Sequence, residues 1–315
     1  MGPISVSFDV TDALPADVTQ GRPTSIAAWL FFPDDLSKLG SKPVTMVLLN
    51  GGSYDKRYFH VEVPGRTAYS TARHLAALGN IVLVPDHLGM GESTRVPVQK
   101  MATRHIVALA NHAAVSQFYE RLAKGDLHPA LPAIPDVVKI GGGHSMGGMQ
   151  TLVQQAAHRS YDAVMILGYT IQGVHFSMGG KKLRAADFPP QGESPDYTTN
   201  DRSKLREGFH WEDVPADVIA ADDAIAAQTA ASIGLDSIRT GIVVEDAARI
   251  DVPVYLCLGE RDVSPDPHAE ATYFRRARDF TLHILPRSAH CQNFASTRHQ
   301  MWNRMHHWAR GLDLG

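Results

Sequence analysis

Apolar positions along this chain follow two rhythms, and the way they alternate predicts the architecture. Strict in-out alternation marks the start, in Ile4-Ser5-Val6-Ser7-Phe8-Asp9-Val10, and a second β-rich run, Ser25-Ile26-Ala27-Ala28-Trp29-Leu30-Phe31-Phe32, stops at Pro33. Both read as antiparallel strands at a sheet edge. The next two runs differ in kind. Val44-Thr45-Met46-Val47-Leu48-Leu49 is almost wholly apolar and stops at Asn50-Gly51-Gly52, and Ile81-Val82-Leu83-Val84 stops at Pro85-Asp86. Continuous apolar strands are what a sheet covered on both faces requires. Residues 67–78 have helical length and close at Gly79-Asn80, and residues 99–124 run without a breaker to Gly125, glycine being a common stop just past a helix end.

Further strands are predicted at 137–140, 163–167, 252–258 and 280–285, with helices at 149–158 and 296–311. The last helix carries Trp302, Met305 and Trp308 at helical spacing, a core-facing stripe. Strands alternating with helices predict an α/β fold, a mostly parallel central sheet with helices on both faces. The regularity fails after Gly168: residues 171–245 hold Gly179-Gly180, Pro189-Pro190, many charges and an alanine-rich helical stretch at 217–232. That is too long for a simple loop in a compact domain. It reads as a helical cap or lid, residues 171–245, inserted into a core made of residues 1–170 and 246–315.

Composition narrows the class of protein. At 315 residues, with 44% hydrophobic and 20% charged side chains, the chain has the make-up of a soluble globular protein. A formal charge of −3 with scattered Lys and Arg leaves no basic footprint for nucleic acid. Residues 1–10 have neither a cationic start nor a long apolar core, and no run is long enough to span a bilayer. With only two cysteines, Cys257 and Cys291, a reducing, cytoplasmic setting is expected. The 16 histidines show neither H-E-x-x-H nor Cys/His metal spacing, so no metal is implied. A small molecule is the expected partner, and homo-oligomerisation stays open.

The candidate chemistry lies in Gly143-His144-Ser145-Met146-Gly147, a G-x-S-x-G sequence between a predicted strand and a predicted helix. That context makes Ser145 a candidate nucleophile, because a strand-to-helix corner lifts the hydroxyl clear of the sheet. A serine hydroxyl needs an adjacent base to become reactive. His290 follows the strand at 280–285, and Asp262 follows the strand at 252–258 through Gly259-Glu260-Arg261. Both therefore fall at strand carboxyl ends, the edge where open α/β sheets bind ligands. Asp266 and Glu260 compete with Asp262 for the role of acid. His144 reads as structural, and Asp86 as a carboxylate bracing the glycine loop after it.

The chain resembles the α/β-hydrolase-fold serine hydrolases, esterase- and lipase-like with a cap insertion. Four pieces carry the likeness: Asn50-Gly51-Gly52-Ser53, where the family often has His-Gly-x; Asp86-His87-Leu88-Gly89-Met90-Gly91-Glu92-Ser93; residues 143–148; and Gly259-Glu260-Arg261-Asp262 together with Ala289-His290. The resemblance implies a Ser145, His290, Asp262 triad and an oxyanion hole made by the N–H groups of Met146 and Gly52, with Ser53 as second choice. Asn50 departs from the family's histidine, so that loop must be supported differently. The implied activity is hydrolysis of a carboxylic ester, thioester or lactone with no bound cofactor. A carbon–carbon bond hydrolase or lyase on the same triad is the alternative, and a non-catalytic receptor a third. Ser53, Tyr54, Tyr169, Phe176 and Trp211, with Met178, Phe188, Phe209, Arg57 and Tyr58, are the candidates to face a largely apolar substrate. The competing role for the aromatic residues of the insertion is packing it onto the core.

Overall fold

The computed structural model describes residues 2–184, 196–198 and 201–314. Its first six strands are β1 (Ile4–Asp9), β2 (Ser25–Phe31), β3 (Val44–Leu49), β4 (Asn80–Pro85), β5 (Val138–His144) and β6 (Ala163–Leu167). After β6 come the hairpin β7 (His175–Met178) and β8 (Lys181–Arg184) and the small pair β9 (Tyr197–Thr198) and β10 (Thr229–Ala230), outside the main sheet; β11 (Val254–Gly259) and β12 (Phe280–Leu285) follow. Eight of them form one sheet in the order β1-β2-β4-β3-β5-β6-β11-β12. From β4 to β12 every neighbouring pair is parallel, while β1 and β2 pair antiparallel.

The helices are α1 (Ala16–Thr19), α2 (Thr71–Ala77), α3 (Arg104–Lys124), α4 (Met146–His158), α5 (Arg202–Phe209), α6 (Ala216–Ala224), α7 (Ala231–Ser237), α8 (Val244–Arg249) and α9 (Arg298–Arg310). Alternation within β3 explains why both faces are covered. Val47 packs with the residues of α3 and α4, whereas Met46 and Leu48 pack on the opposite face with those of α2 and α9. Burying one such side chain contributes roughly 1.5–3 kcal/mol, so two apolar faces make the strand strongly committed to the sheet's middle.

Register brings the functional loops to one edge. Leu49 pairs with Gly143, His144 with Leu167, Leu167 with Cys257, and Gly259 with Leu285. The carboxyl ends of β3, β5, β6, β11 and β12 are thus level.

Three elements depart from the sequence expectation. β2 is not an edge strand, because it pairs with β4 as well as β1. The helix expected at 217–232 breaks after Ala224: Thr229 and Ala230 pair with Thr198 and Tyr197 before α7 begins. There the Thr229 hydroxyl accepts a hydrogen bond from the Ser53 N–H, a tertiary tie that outweighs alanine's helical preference. The β7–β8 hairpin stands where only irregular chain was expected. Gly179 and Gly180 turn it with φ of 58° and 71°, the left-handed pair that a tight hairpin needs.

Candidate active site

Ser145 sits between β5 and α4 with φ 55° and ψ −119°, a backbone conformation few non-glycine residues adopt. The neighbours that hold it there need glycine. A Cβ on Gly147 would lie 2.1 Å from the Leu49 carbonyl oxygen, and one on Gly143 would lie 2.2 Å from the Gly147 backbone. Both obstacles are main chain, so they cannot swing aside, and helix and strand approach only because side chains are missing.

The Ser145 hydroxyl lies 3.0 Å from His290 Nε2, and His290 Nδ1 lies 2.7 Å from Asp262 Oδ1. Asp262 is buried, and its other bonds all come from donors: the Val263 N–H reaches Oδ1 at 2.8 Å, while the Gly259 N–H and the Gln292 side-chain amide reach Oδ2 at 2.8 and 3.1 Å. Burial pushes this carboxyl up, but His290 and the two backbone N–H groups outweigh it, and its pKa lies below the ordinary carboxylate value. An ionised carboxylate only accepts, so the imidazole proton belongs on Nδ1, which leaves Nε2 to accept from Ser145.

Asp266 stands apart, accepting from the N–H groups of His268 and Ala269 at 3.0 and 3.3 Å as the cap of a short turn. Glu260 accepts from the Arg287 N–H at 2.9 Å.

The loop after β3 lies against Ser145, since a Cβ on Gly51 would come within 3.2 Å of Ser145 Cβ. Met146 begins α4, where N–H groups lack helical partners and carry the positive end of the dipole. Asn50 supplies the loop's altered support: its side-chain amide donates to the carbonyls of Tyr54 at 2.6 Å and Gly51 at 3.2 Å. His87 Nε2 in turn lies 2.9 Å from the Asn50 carbonyl, and burial lowers the His87 pKa to about 4, so this ring is a neutral donor. Asp86 accepts from the N–H groups of Lys56 at 2.7 Å and Glu92 at 2.9 Å and from Lys56 Nζ at 2.6 Å, bracing the loop that follows it.

The remaining candidates scatter. Phe176 is half-buried with its ring 6.1 Å from that of His290, and the buried Phe209 is 5.7 Å away. The Ser53 N–H is given to Thr229 Oγ1 at 2.5 Å. Tyr54 is only 1% exposed, its hydroxyl 3.1 Å from Cys291 Sγ, and Tyr58 stacks on His144 at 4.6 Å. Tyr169 is buried, its Cβ beside α4 at Gly148. Trp211 lies beneath Arg261 at 4.7 Å, Arg57 pairs with Asp55, Met178 ends β7, and Phe188 falls outside the described residues.

Three further residues support the site: His144, read as structural from the sequence, and Gln292 and Glu270, which carried too little sequence signal to be found. Gln292 ties Asp262 to the Cys257 carbonyl at 3.0 Å. His144 Nε2 lies 2.8 Å from the His290 carbonyl, and burial lowers its pKa to about 3, so it too is a neutral donor. Glu270, wholly buried, binds the hydroxyls of Thr170 and, at 2.6 Å, Ser264, linking the segment after β6 to the loop that bears Asp262.

Residues 46–300 match the model of the Alpha/beta hydrolase family, and the chain belongs to that family. Among solved structures it resembles a thermophilic esterase from Thermogutta terrifontis at 14% identity, with a TM-score of 0.62 and 98% of each chain covered. A soluble variant of monoglyceride lipase from Saccharomyces cerevisiae aligns at 15% identity with a TM-score of 0.66, over 98% of this chain and 95% of that one. The N-acyl homoserine lactonase AidH aligns at 15% identity with a TM-score of 0.61 over 99% of each chain. No curated protein matches the chain.

Proposed function

We propose that the protein is a serine hydrolase that cleaves a carboxylic ester, thioester or lactone of a small to mid-sized, largely apolar molecule. The observation that carries this reading is the unbroken chain of contacts from Ser145 through His290 to Asp262, at 3.0 and 2.7 Å. In the first half-reaction Ser145 Oγ adds to the substrate carbonyl as its proton passes to His290 Nε2. The negative charge that grows on the carbonyl oxygen is met by the N–H groups of Met146 and Gly52. His290 then gives the proton to the leaving group, and water, activated by the same imidazole, releases the acid and restores Ser145. Asp262 holds the ring's tautomer and offsets the imidazolium charge.

Residues 171–245 act as the cap over a core of 1–170 and 246–315. Two main-chain bonds support this: the His290 N–H donates to the Gly208 carbonyl at 3.0 Å and the Cys291 N–H to that of Phe209 at 2.9 Å. Phe176 and Phe209 beside His290 favour an apolar acyl or alcohol group.

A fluorophosphonate probe tests the reading. It should label Ser145, and Ser145→Ala should abolish both labelling and turnover of short p-nitrophenyl esters without changing the melting temperature. Activity retained by Ser145→Ala rejects the nucleophile. Turnover of vinylogous diketones but not esters would move the assignment to carbon–carbon bond hydrolysis.

A further inference from the structure

We infer that Arg202 is a positioning residue for the oxyanion loop, fixing Ser53 and through it the backbone that presents the N–H of Gly52 to the reacting carbonyl. The inference rests on the hydrolase reading above. Ser53, next to Gly52, has φ 59°, a left-handed conformation that persists in a non-glycine residue only when the surroundings impose it. Those surroundings come from the insertion. The Ser53 N–H donates to Thr229 Oγ1 at 2.5 Å, and its carbonyl accepts from Arg202 Nη2 at 2.7 Å and from the Ala227 N–H at 3.0 Å. On the other side, the Asn50 amide holds the Gly51 carbonyl at 3.2 Å. That carbonyl shares a planar peptide unit with the Gly52 N–H, so holding one aims the other.

Arg202 is itself immobilised. Nη1 reaches both the carbonyl and Oδ1 of Asp222 at 2.9 Å, and the guanidinium lies 4.2 Å over the Tyr54 ring. Asp222 is wholly buried and also faces His210 Nε2 at 3.0 Å. A planar fork serves Asp222 and Ser53 at once, whereas lysine offers a point charge on a flexible stem. Arg202 is also the first residue of α5, and Phe209, whose carbonyl holds Cys291, is the last. Helix α5 is therefore a strut of about 12 Å between the oxyanion loop and the loop of the catalytic imidazole.

The test compares Arg202→Met, Arg202→Lys and Thr229→Val with the unaltered protein on a p-nitrophenyl ester, with rates normalised to the sites that fluorophosphonate finally labels. Normalisation removes any misfolded fraction. The expected result is a kcat lower by roughly 10- to 100-fold in Arg202→Met, somewhat less than outright loss of an oxyanion donor causes, with KM moving less than about three-fold. The inhibition constant of a trifluoromethyl ketone, whose adduct places an oxyanion in the hole, should rise in parallel. Thr229→Val, which releases the other side of Ser53, should act in the same direction, and Arg202→Lys should fall between. Unchanged kcat per labelled site in both Arg202→Met and Thr229→Val overturns the inference, as does a loss confined to KM. If Arg202→Met does not fold, Thr229→Val and Arg202→Lys decide by the same criteria. An unaltered protein that neither turns over the ester nor takes the probe overturns the hydrolase reading and this inference together. An active one with unaffected variants overturns this inference alone.

Discussion

Replacing Asp262 by Asn keeps the shape of the side chain and inverts half of its hydrogen bonding. Four donors converge on the carboxylate: His290 Nδ1 and the Val263 N–H on one oxygen, the Gly259 N–H and Gln292 Nε2 on the other. An Asn amide must therefore turn its NH2 group towards a backbone N–H in either orientation. If the NH2 faces His290, it forces the proton onto Nε2, which then cannot accept from Ser145. If it faces Gly259, the imidazole keeps its tautomer but loses the charge that stabilises the imidazolium. The tautomer error is the larger effect, worth about 10⁴ in kcat where it has been measured in another triad, or about 5.5 kcal/mol of barrier. Leaving a buried donor unsatisfied should cost a further ~1–3 kcal/mol of stability. The assay is kcat on a short ester for Asp262→Asn beside Asp266→Asn, with urea unfolding of both. Asp266 caps a turn at the surface, so its variant should stay within about two-fold in rate and lose roughly 1 kcal/mol of stability. Asp262→Asn within ten-fold of the unaltered protein, or Asp266→Asn falling further, would refute the assignment of the acid.

Two other outcomes are expected. His87 and His144 have folded pKa values of about 4 and about 3 against 6.5 for a free side chain, so between those limits the unfolded chain binds more protons than the folded one and stability falls as pH falls. At about pH 5 each should have removed about 2 kcal/mol; a urea midpoint that does not move between about pH 7 and 5 would show that these rings are not held neutral. Phe176→Ala and Phe209→Ala should shift preference among esters of different acyl length, by about ten-fold or more per displaced pair of methylenes, and an unchanged profile in both would remove these rings from the pocket.

Patterns with local causes could be read from the sequence. The apolar runs at 44–49 and 163–167 are strands because a strand buried on both faces leaves no polar position, and the corner at Ser145 announces itself because its glycines are needed within five residues of one another. His290 and Asp262 were legible through their place after strands. Side chains that brace from afar were not. Arg202 reaches Ser53 across 149 positions and Thr229 across 176, and nothing near either residue marks it. Thr229 also explains the helix that breaks early: its hydroxyl is committed elsewhere, and local propensity yields. Tyr54, adjacent to the glycine loop in sequence, turns inwards to Cys291 because Arg202 and Tyr58 cover its ring.

The main-chain bonds from His290 and Cys291 to Gly208 and Phe209 have a bearing on wear as well as on architecture. The segment they grip, α5, is a short charged helix outside the sheet, buried at its two ends by Arg202 and Phe209 but not along its middle, the kind of unit that frays at a lower free energy than the strands beneath it. Warming would then detach it first, and heat inactivation would set in at temperatures where the rest of the molecule still gives a native spectrum and recovers on cooling.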